Sequence, residues 1–202
     1  MNDNTIFINC PFDEEYQPLL RALLFAVCYY GLEPKIASTD LDSKSDRLKR
    51  IIELMKATRY SIHDLSRMKA KRKGEYYRMN MPFELGLDYG LCGEDKLFLI
   101  FENNPYRLKI ALSDVNGWDV RPHNDKEEDI IMEFRKWYVA ANPHLSKRQK
   151  SFSSSRIWYD FNIFQVGFED FKNANGLKDR EMSVAEYIDY VKSFFATNKP
   201  TT

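Results

Sequence analysis

The sequence predicts an α/β protein: a doubly wound parallel sheet of about five strands, followed by a helical hairpin. Three observations predict it. Short β-rich runs alternate with amphipathic stretches from residue 5 to residue 141, the pattern of strands joined by crossover helices. Two of those runs, 60–62 and 97–101, are short and largely apolar, as strands covered on both faces are. Beyond a polar, serine-rich stretch at 142–155 come two aromatic stretches at helical spacing.

Residues 5–10 (TIFINC) form the first strand, and Pro11-Phe12-Asp13 the turn, with Asp13 placed to cap the next helix. That helix runs to about Tyr30, with Tyr16, Leu19, Leu20, Leu23, Leu24 and Val27 on one face, and Gly31 closes it. A second strand at 33–38 and a polar turn at 39–45 lead to a helix over 46–58, with Leu48, Ile51, Ile52 and Met55 inward. The third strand is 60–63. The loop at 65–78 carries Arg67, Lys69, Lys71, Arg72, Lys73 and Arg78, and reads either as a solvated loop or as a flap that steers phosphate. A helix over 82–91 follows, with Phe83, Leu85, Leu87 and Leu91 at helical spacing, then the fourth strand at 97–101. A short helix within 106–114, an edge strand at 118–122 and an amphipathic helix at 127–141 (Ile130, Ile131, Phe134, Trp137 on one side) complete the sheet domain. The composition shift at 142–155 divides a domain at 1–145 from a hairpin extension at 146–202. The hairpin helices are 155–173 and 183–197, the second opened by Ser183 and Glu186 in capping-box register. So aromatic a hairpin must pack on the sheet domain, on a second copy or on a partner, and we expect a homo-oligomer.

The chain has 202 residues, with 30 basic and 30 acidic side chains, so its net charge is zero. That argues against a dedicated binder of nucleic acid or anionic membrane, leaving room only for a local patch, and no direct nucleic-acid binding is expected. No apolar run is long enough to span a bilayer and residues 1–5 are polar, so the expected setting is cytoplasmic, away from membranes. Cys10, Cys28 and Cys92 show no CxxC spacing and read as reduced, packing thiols. His63, His123 and His144 lack metal-ligand spacing, and no phosphate-binding or dinucleotide-binding glycine motif is present, so neither metal nor cofactor is expected.

In an open α/β sheet the ligand crevice lies outside the carboxyl ends of the strands. Asp64 ends the third strand, and Glu84 falls in the first turn of the helix after it, so both acids reach that edge. Cleavage of a ribosyl–base bond develops positive charge at the anomeric carbon, which a carboxylate can stabilise or trap covalently. Glu84 is the candidate for that role. A purine or pyrimidine leaving group also needs an acid, and Asp64 or Asp13 can supply one. Asn9 could read a base or a ribose hydroxyl, Phe12 and Tyr16 could stack a base, and Arg47, Ser66 and Arg67 could hold phosphate. Pro11, Asn80 (read as the helix cap or next to it) and Met81 complete the candidate substrate-binding set. Each residue also has a structural use: Asp64 as an end-of-strand cap, Asn9 as a backbone partner, Tyr16 as core.

The segment ELGLDYGL at 84–91, followed by DKLFLIF at 95–101, resembles the helix–strand unit of nucleoside 2-deoxyribosyltransferases. FINCPFD at 7–13 is similar to that family's first-strand segment, and Asp64 in IHDLS matches the acid after its third strand. Glu84-Leu85 also resembles the catalytic glutamate region of TIR-type NAD hydrolases. The resemblance covers about residues 5–120. It implies a flavodoxin-like sheet with strand order 2-1-3-4-5, a nucleotide or nucleoside ligand, and N-glycosidic chemistry centred on Glu84. NAD as substrate and a place in bacterial antiphage defence are further implications of the resemblance. A non-catalytic, nucleotide-sensing module is the alternative. Where the transferases carry Asp-Pro-Gly-Thr before the glutamate, this chain has Asn80-Met81-Pro82-Phe83, so the particular substrate is not implied.

Overall fold

The strands are β1 (Asn2–Asn9), β2 (Glu33–Lys35), β3 (Thr58–Asp64), β4 (Leu97–Glu102) and β5 (Val120–Pro122). They were located in a computed structural model that describes residues 2–37, 47–68, 79–93, 96–105, 108–112 and 118–198. All neighbours pair in parallel, in the order β2-β1-β3-β4-β5, which is the flavodoxin-like topology. The pairs Asn9 with His63 and Asp64 with Phe101 set the carboxyl ends of β1, β3 and β4 level. Side chains alternate across the sheet. Ile6, Ile8, Tyr60, Ile62, Leu99 and Phe101 face α1 (Gln17–Tyr29) and α5 (Glu127–Ala141). Phe7 and Ile100 face the opposite layer, made of α2 (Arg47–Ala57), α3 (Asn80–Cys92) and α4 (Leu108–Ala111). The same alternation puts Ser61 and His63 on the α2/α3 side and Asp64 on the α1 side.

α1 ends as its sequence predicts. Gly31 takes φ +76°, its N–H donates to the Cys28 carbonyl at 2.9 Å, and the Leu32 N–H donates to the Val27 carbonyl at 3.2 Å. The burial of α1 goes further than one face. Phe25, Ala26, Cys28 and Tyr29 are buried along with the expected leucines, so the helix is covered all round. The outer cover is the C-terminal hairpin, α7 (Ser154–Asn175) and α8 (Val184–Thr197). Phe161, Phe164, Phe168, Tyr187 and Val191 belong to the same core as the sheet. The Phe25 ring lies 5.4 Å from Phe161, 5.2 Å from Phe164 and 4.9 Å from Phe195. Of the three destinations open to the hairpin, it takes the sheet domain. The polar stretch before it holds a short helix, α6 (Lys147–Ser151), started by a Ser146–Gln149 capping box.

Ser183 and Glu186 form the predicted capping box on α8. Ser183→Ala is expected to cost about 1 kcal/mol, read as a lower urea midpoint at unchanged slope.

α3 departs from its sequence pattern. It begins at Asn80, two residues early, and the capping residue is Met79, so Asn80 is the first helical residue rather than the cap. Glu84 therefore lies in the second turn, where the helix dipole has little hold on it. The inward positions are Met81, Glu84, Leu85 and Asp88, while Phe83 and Leu91 point outward. Leu48 on α2, expected inward, is also exposed. Gly86 and Gly90 interrupt α3 at about 0.5–1 kcal/mol each relative to alanine. Among the described residues, nothing outside the helix's own backbone and their chain neighbours lies within 4 Å of where a Cβ would stand at either one.

Candidate functional site

The turns after β1 and β3 and the start of α3 meet at the carboxyl edge, at the point where strand order reverses. Asp64 is fully buried there and caged on the α1 side. Its Oδ2 accepts from the Tyr16 hydroxyl at 2.5 Å and its Oδ1 from the Ser66 N–H at 2.8 Å. His123 Nε2 lies 3.2 Å from Oδ2, at ion-pair distance but off the line of a hydrogen bond. The other ring nitrogen, Nδ1, accepts from the Asp125 N–H at 3.0 Å, which leaves the ring proton on the side facing Asp64. Burial alone would push the Asp64 carboxyl up. His123, Ser66 and Tyr16 more than offset it and hold the carboxyl below its ordinary value. Tyr16 moves the other way: burial, then the Asp64 charge, keep its hydroxyl protonated and donating.

Glu84 approaches from the opposite face. It is 7% exposed, and burial raises its carboxyl above the ordinary value, with the Arg47 charge pulling the other way. Arg47 itself stands exposed at the start of α2. Cys10, just past the end of β1, is raised well above its ordinary value by burial and then by Asp64, Asp13 and Glu84 in turn. All three carboxylates thus act on one thiol, which stays protonated and serves as packing.

Behind α3 lies a polar network that the sequence reading missed. Asp88 Oδ2 accepts from Ser61 Oγ at 2.5 Å and from His63 Nε2 at 3.1 Å, and Asp88 Oδ1 accepts from Lys96 Nζ at 2.8 Å. Lys96 also donates to the Met55 carbonyl at 2.6 Å. Asn9 Nδ2 donates to His63 Nδ1 at 3.1 Å and reaches the Met81 carbonyl at 3.3 Å, so the network ends on the first turn of α3. Asn9 has the role of a backbone and histidine partner. Ser61 and His63, alternating on β3, and Asp88, four residues after Glu84, were the available signals.

Burial alone would raise the Asp88 carboxyl, but His63, Lys96 and Ser61 bring it down to about 2. His63 is lowered by burial against the pull of Asp88, so it is neutral in the folded protein. Both groups bind protons less readily folded than unfolded, so both take stability away as pH falls. The His63 loss starts near its unfolded value of about 6.5, and the Asp88 loss, roughly 2 kcal/mol, falls between about pH 4 and pH 2. Over pH 7 to pH 4 the melting temperature of wild type should therefore fall more, or rise less, than that of His63→Gln, Glu84 acting alike in both proteins. The same change with pH in the two proteins would contradict this.

The remaining candidates are spread around the edge. Asp13 Oδ1 accepts from the Tyr16 N–H at 3.1 Å, one turn ahead of α1, and lies 3.5 Å from Arg67. Ser66 Oγ and Arg67 Nε are buried without a hydrogen-bond partner among the described residues. Arg67 also lines an open cavity of about 870 Å³ with Glu15, Asn103, Asp125, Lys126 and Trp158. Pro11 is buried, Met81 is 8% exposed, and Asn80 is exposed at the start of α3. Phe12 packs on the main core and lines a groove of about 610 Å³ between α1 and the residues leading into α8, turned toward the hairpin. Lys69, Lys71, Arg72, Lys73 and Arg78 lie outside the described residues. Among the described residues no cluster of His, Cys, Asp and Glu could hold a metal ion, and no helix is long and apolar enough to cross a membrane. Compared with known proteins, the chain matches no family model, and no curated protein is similar to it in sequence.

Proposed function

We propose that this chain binds a nucleotide or nucleoside at the carboxyl edge of β1 and β3 and breaks or transfers its N-glycosidic bond, with Glu84 acting at the anomeric carbon. The observation that carries this reading is Glu84 itself. It is a carboxylate 7% exposed at the ligand edge, made less stable by burial and partly relieved by Arg47. Such a group gains most from a cation forming beside it, and the oxocarbenium-like sugar of glycosidic cleavage is one. Ser66 Oγ and Arg67 Nε, atoms buried without a hydrogen-bond partner among the described residues, provide donors for an anionic, oxygen-rich group such as a phosphate.

The bond from C1 to the base nitrogen breaks, and its electron pair leaves with the base. Glu84 stabilises or traps C1 until water or an acceptor closes on it. Asp64, held ionised by three neighbours, is a positioning residue for Tyr16 and the turn at Ser66 rather than a source of protons. That favours a leaving group needing no protonation, such as the nicotinamide of NAD, which departs neutral. The likeness of the edge segments to deoxyribosyltransferases and TIR-type NAD hydrolases supports the same class, and a part in antiphage defence rests on that likeness alone.

The test is chromatographic: base released from a panel of nucleosides, nucleotides and NAD by wild type and by Glu84→Gln. Release by wild type that the variant lacks supports the reading, and equal release, or none from any substrate, overturns it. The full cage around Asp64 favours one second reading, a sensor that binds the nucleotide and returns it intact. Calorimetry with recovery of unaltered ligand would identify that case.

A further inference from the structure

We infer that the outer face of α3 is the contact surface for a second copy of this chain, in a two-fold dimer independent of the reading of Glu84. The charges of α3 are inverted relative to an ordinary surface helix. Its acids, Glu84 and Asp88, are both buried, and its exposed positions are Asn80, Phe83, Gly86, Tyr89, Gly90 and Leu91, none of them charged. Met79, capping the helix, is 64% exposed and Phe83 is 57% exposed. In the same layer Leu48 of α2 is 41% exposed and Ile110 of α4 is 89% exposed. Around this strip α2 presents Lys49, Glu53 and Lys56, the polar rim that an apolar contact surface carries.

The identity of the occupant follows from charge and area. A charge-free strip complements a copy of itself, because pairing two of them about a two-fold axis buries no charge. A partner that set a charge against the centre of the strip would lose its hydration there, because no exposed side chain of α3 is charged. At roughly 100 Å² each, the exposed apolar side chains of this layer hide about 1,000–1,200 Å² in a symmetric pair, the lower bound for a specific interface. Gly86 and Gly90 stand one helical turn apart, and among the described residues nothing outside the backbone of their own helix and their chain neighbours lies within 4 Å of a Cβ at either. Their absent side chains serve no internal contact, and they let a second helix approach closely. The rival apolar stripe, Tyr159, Ile163 and Val166 on α7, runs between exposed Arg156, Glu169 and Asp170 and lacks this uncharged character.

Light scattering coupled to gel filtration, at about 100 μM protein and on dilution, tests the dimer. Wild type is expected to be dimeric at the higher concentration. Phe83→Glu or Gly86→Leu should weaken association by about 30-fold or more. Ile163→Glu on α7 should leave it unchanged. Both α3 variants alter exposed positions, and far-ultraviolet circular dichroism checks that they fold. A monomeric wild type, or a dimer that survives both α3 substitutions, overturns the inference. Base release plays no part in the readout, so failure of the dimer and failure of the enzymatic reading are separate results.

Discussion

Glu84→Gln should abolish base release, by about 10³-fold or more, while raising the melting temperature. The two effects have one cause. Burial lifts the Glu84 carboxyl above its ordinary 4.5, so the ionised form is less stable folded than unfolded. An acid raised by folding adds stability only while protonated, and that contribution is lost as pH climbs through the raised value. Glutamine has the same shape and no charge to desolvate. The two proteins should melt alike below about pH 4 and diverge toward neutrality, with the variant ahead. In wild type, base release should rise with pH over the interval in which Glu84 ionises. Calorimetric scans at pH 4 and pH 7, beside the chromatographic assay, check both halves. A variant that is less stable at pH 7 would mean that Arg47 outweighs burial.

Lys96→Met should be the most damaging single substitution in the polar interior, at about 3–5 kcal/mol, or a fall of roughly 6–20 °C in melting temperature. Lys96 and Asp88 are both fully buried, 2.8 Å apart, and methionine preserves the length of the chain while removing the charge. Asp88 is then an ionised group without its counter-charge, and the Met55 carbonyl loses its donor. The damage should spread along the network through His63 and Asn9 to the first turn of α3, which carries Glu84. Adding Asp88→Leu should recover part of the loss, because the uncompensated charge goes, but Ser61 and His63 remain without their acceptor. Urea titrations of the two single variants and the double variant form the cycle. A Lys96→Met cost below about 0.5 kcal/mol would show that the pair contributes nothing net.

Much of the architecture could be read from local signals, because those signals are local in cause. Gly31 ends α1 through its own left-handed backbone, Ser183 starts α8 through its own hydroxyl, and the limits of α5 follow its apolar period. α3 was misjudged for the opposite reason. The apolar spacing of Phe83, Leu85, Leu87 and Leu91 does not reveal the buried face, because Asp88 is drawn in by Lys96 on the lead into β4 and by His63 on β3. Partners on other elements decide that orientation, and no window on α3 alone contains them. The edge shows the same division. Strand order placed Asp64 and Glu84 at the ligand end, but the cage around Asp64 joins residue 16 to residue 64 and residue 123, a closure written nowhere in their spacing.

The covering of α1 on every side has a consequence for how the polypeptide is made. On the ribosome the sheet and its first helix emerge well before Phe161, Phe164 and Tyr187 exist to shield Phe25 and Tyr29. At about 5–20 residues per second the delay is on the order of ten seconds. Throughout that interval the aromatic side of α1 that the hairpin later covers has no partner within the chain, so the last step of folding is the docking of α7 and α8 onto α1.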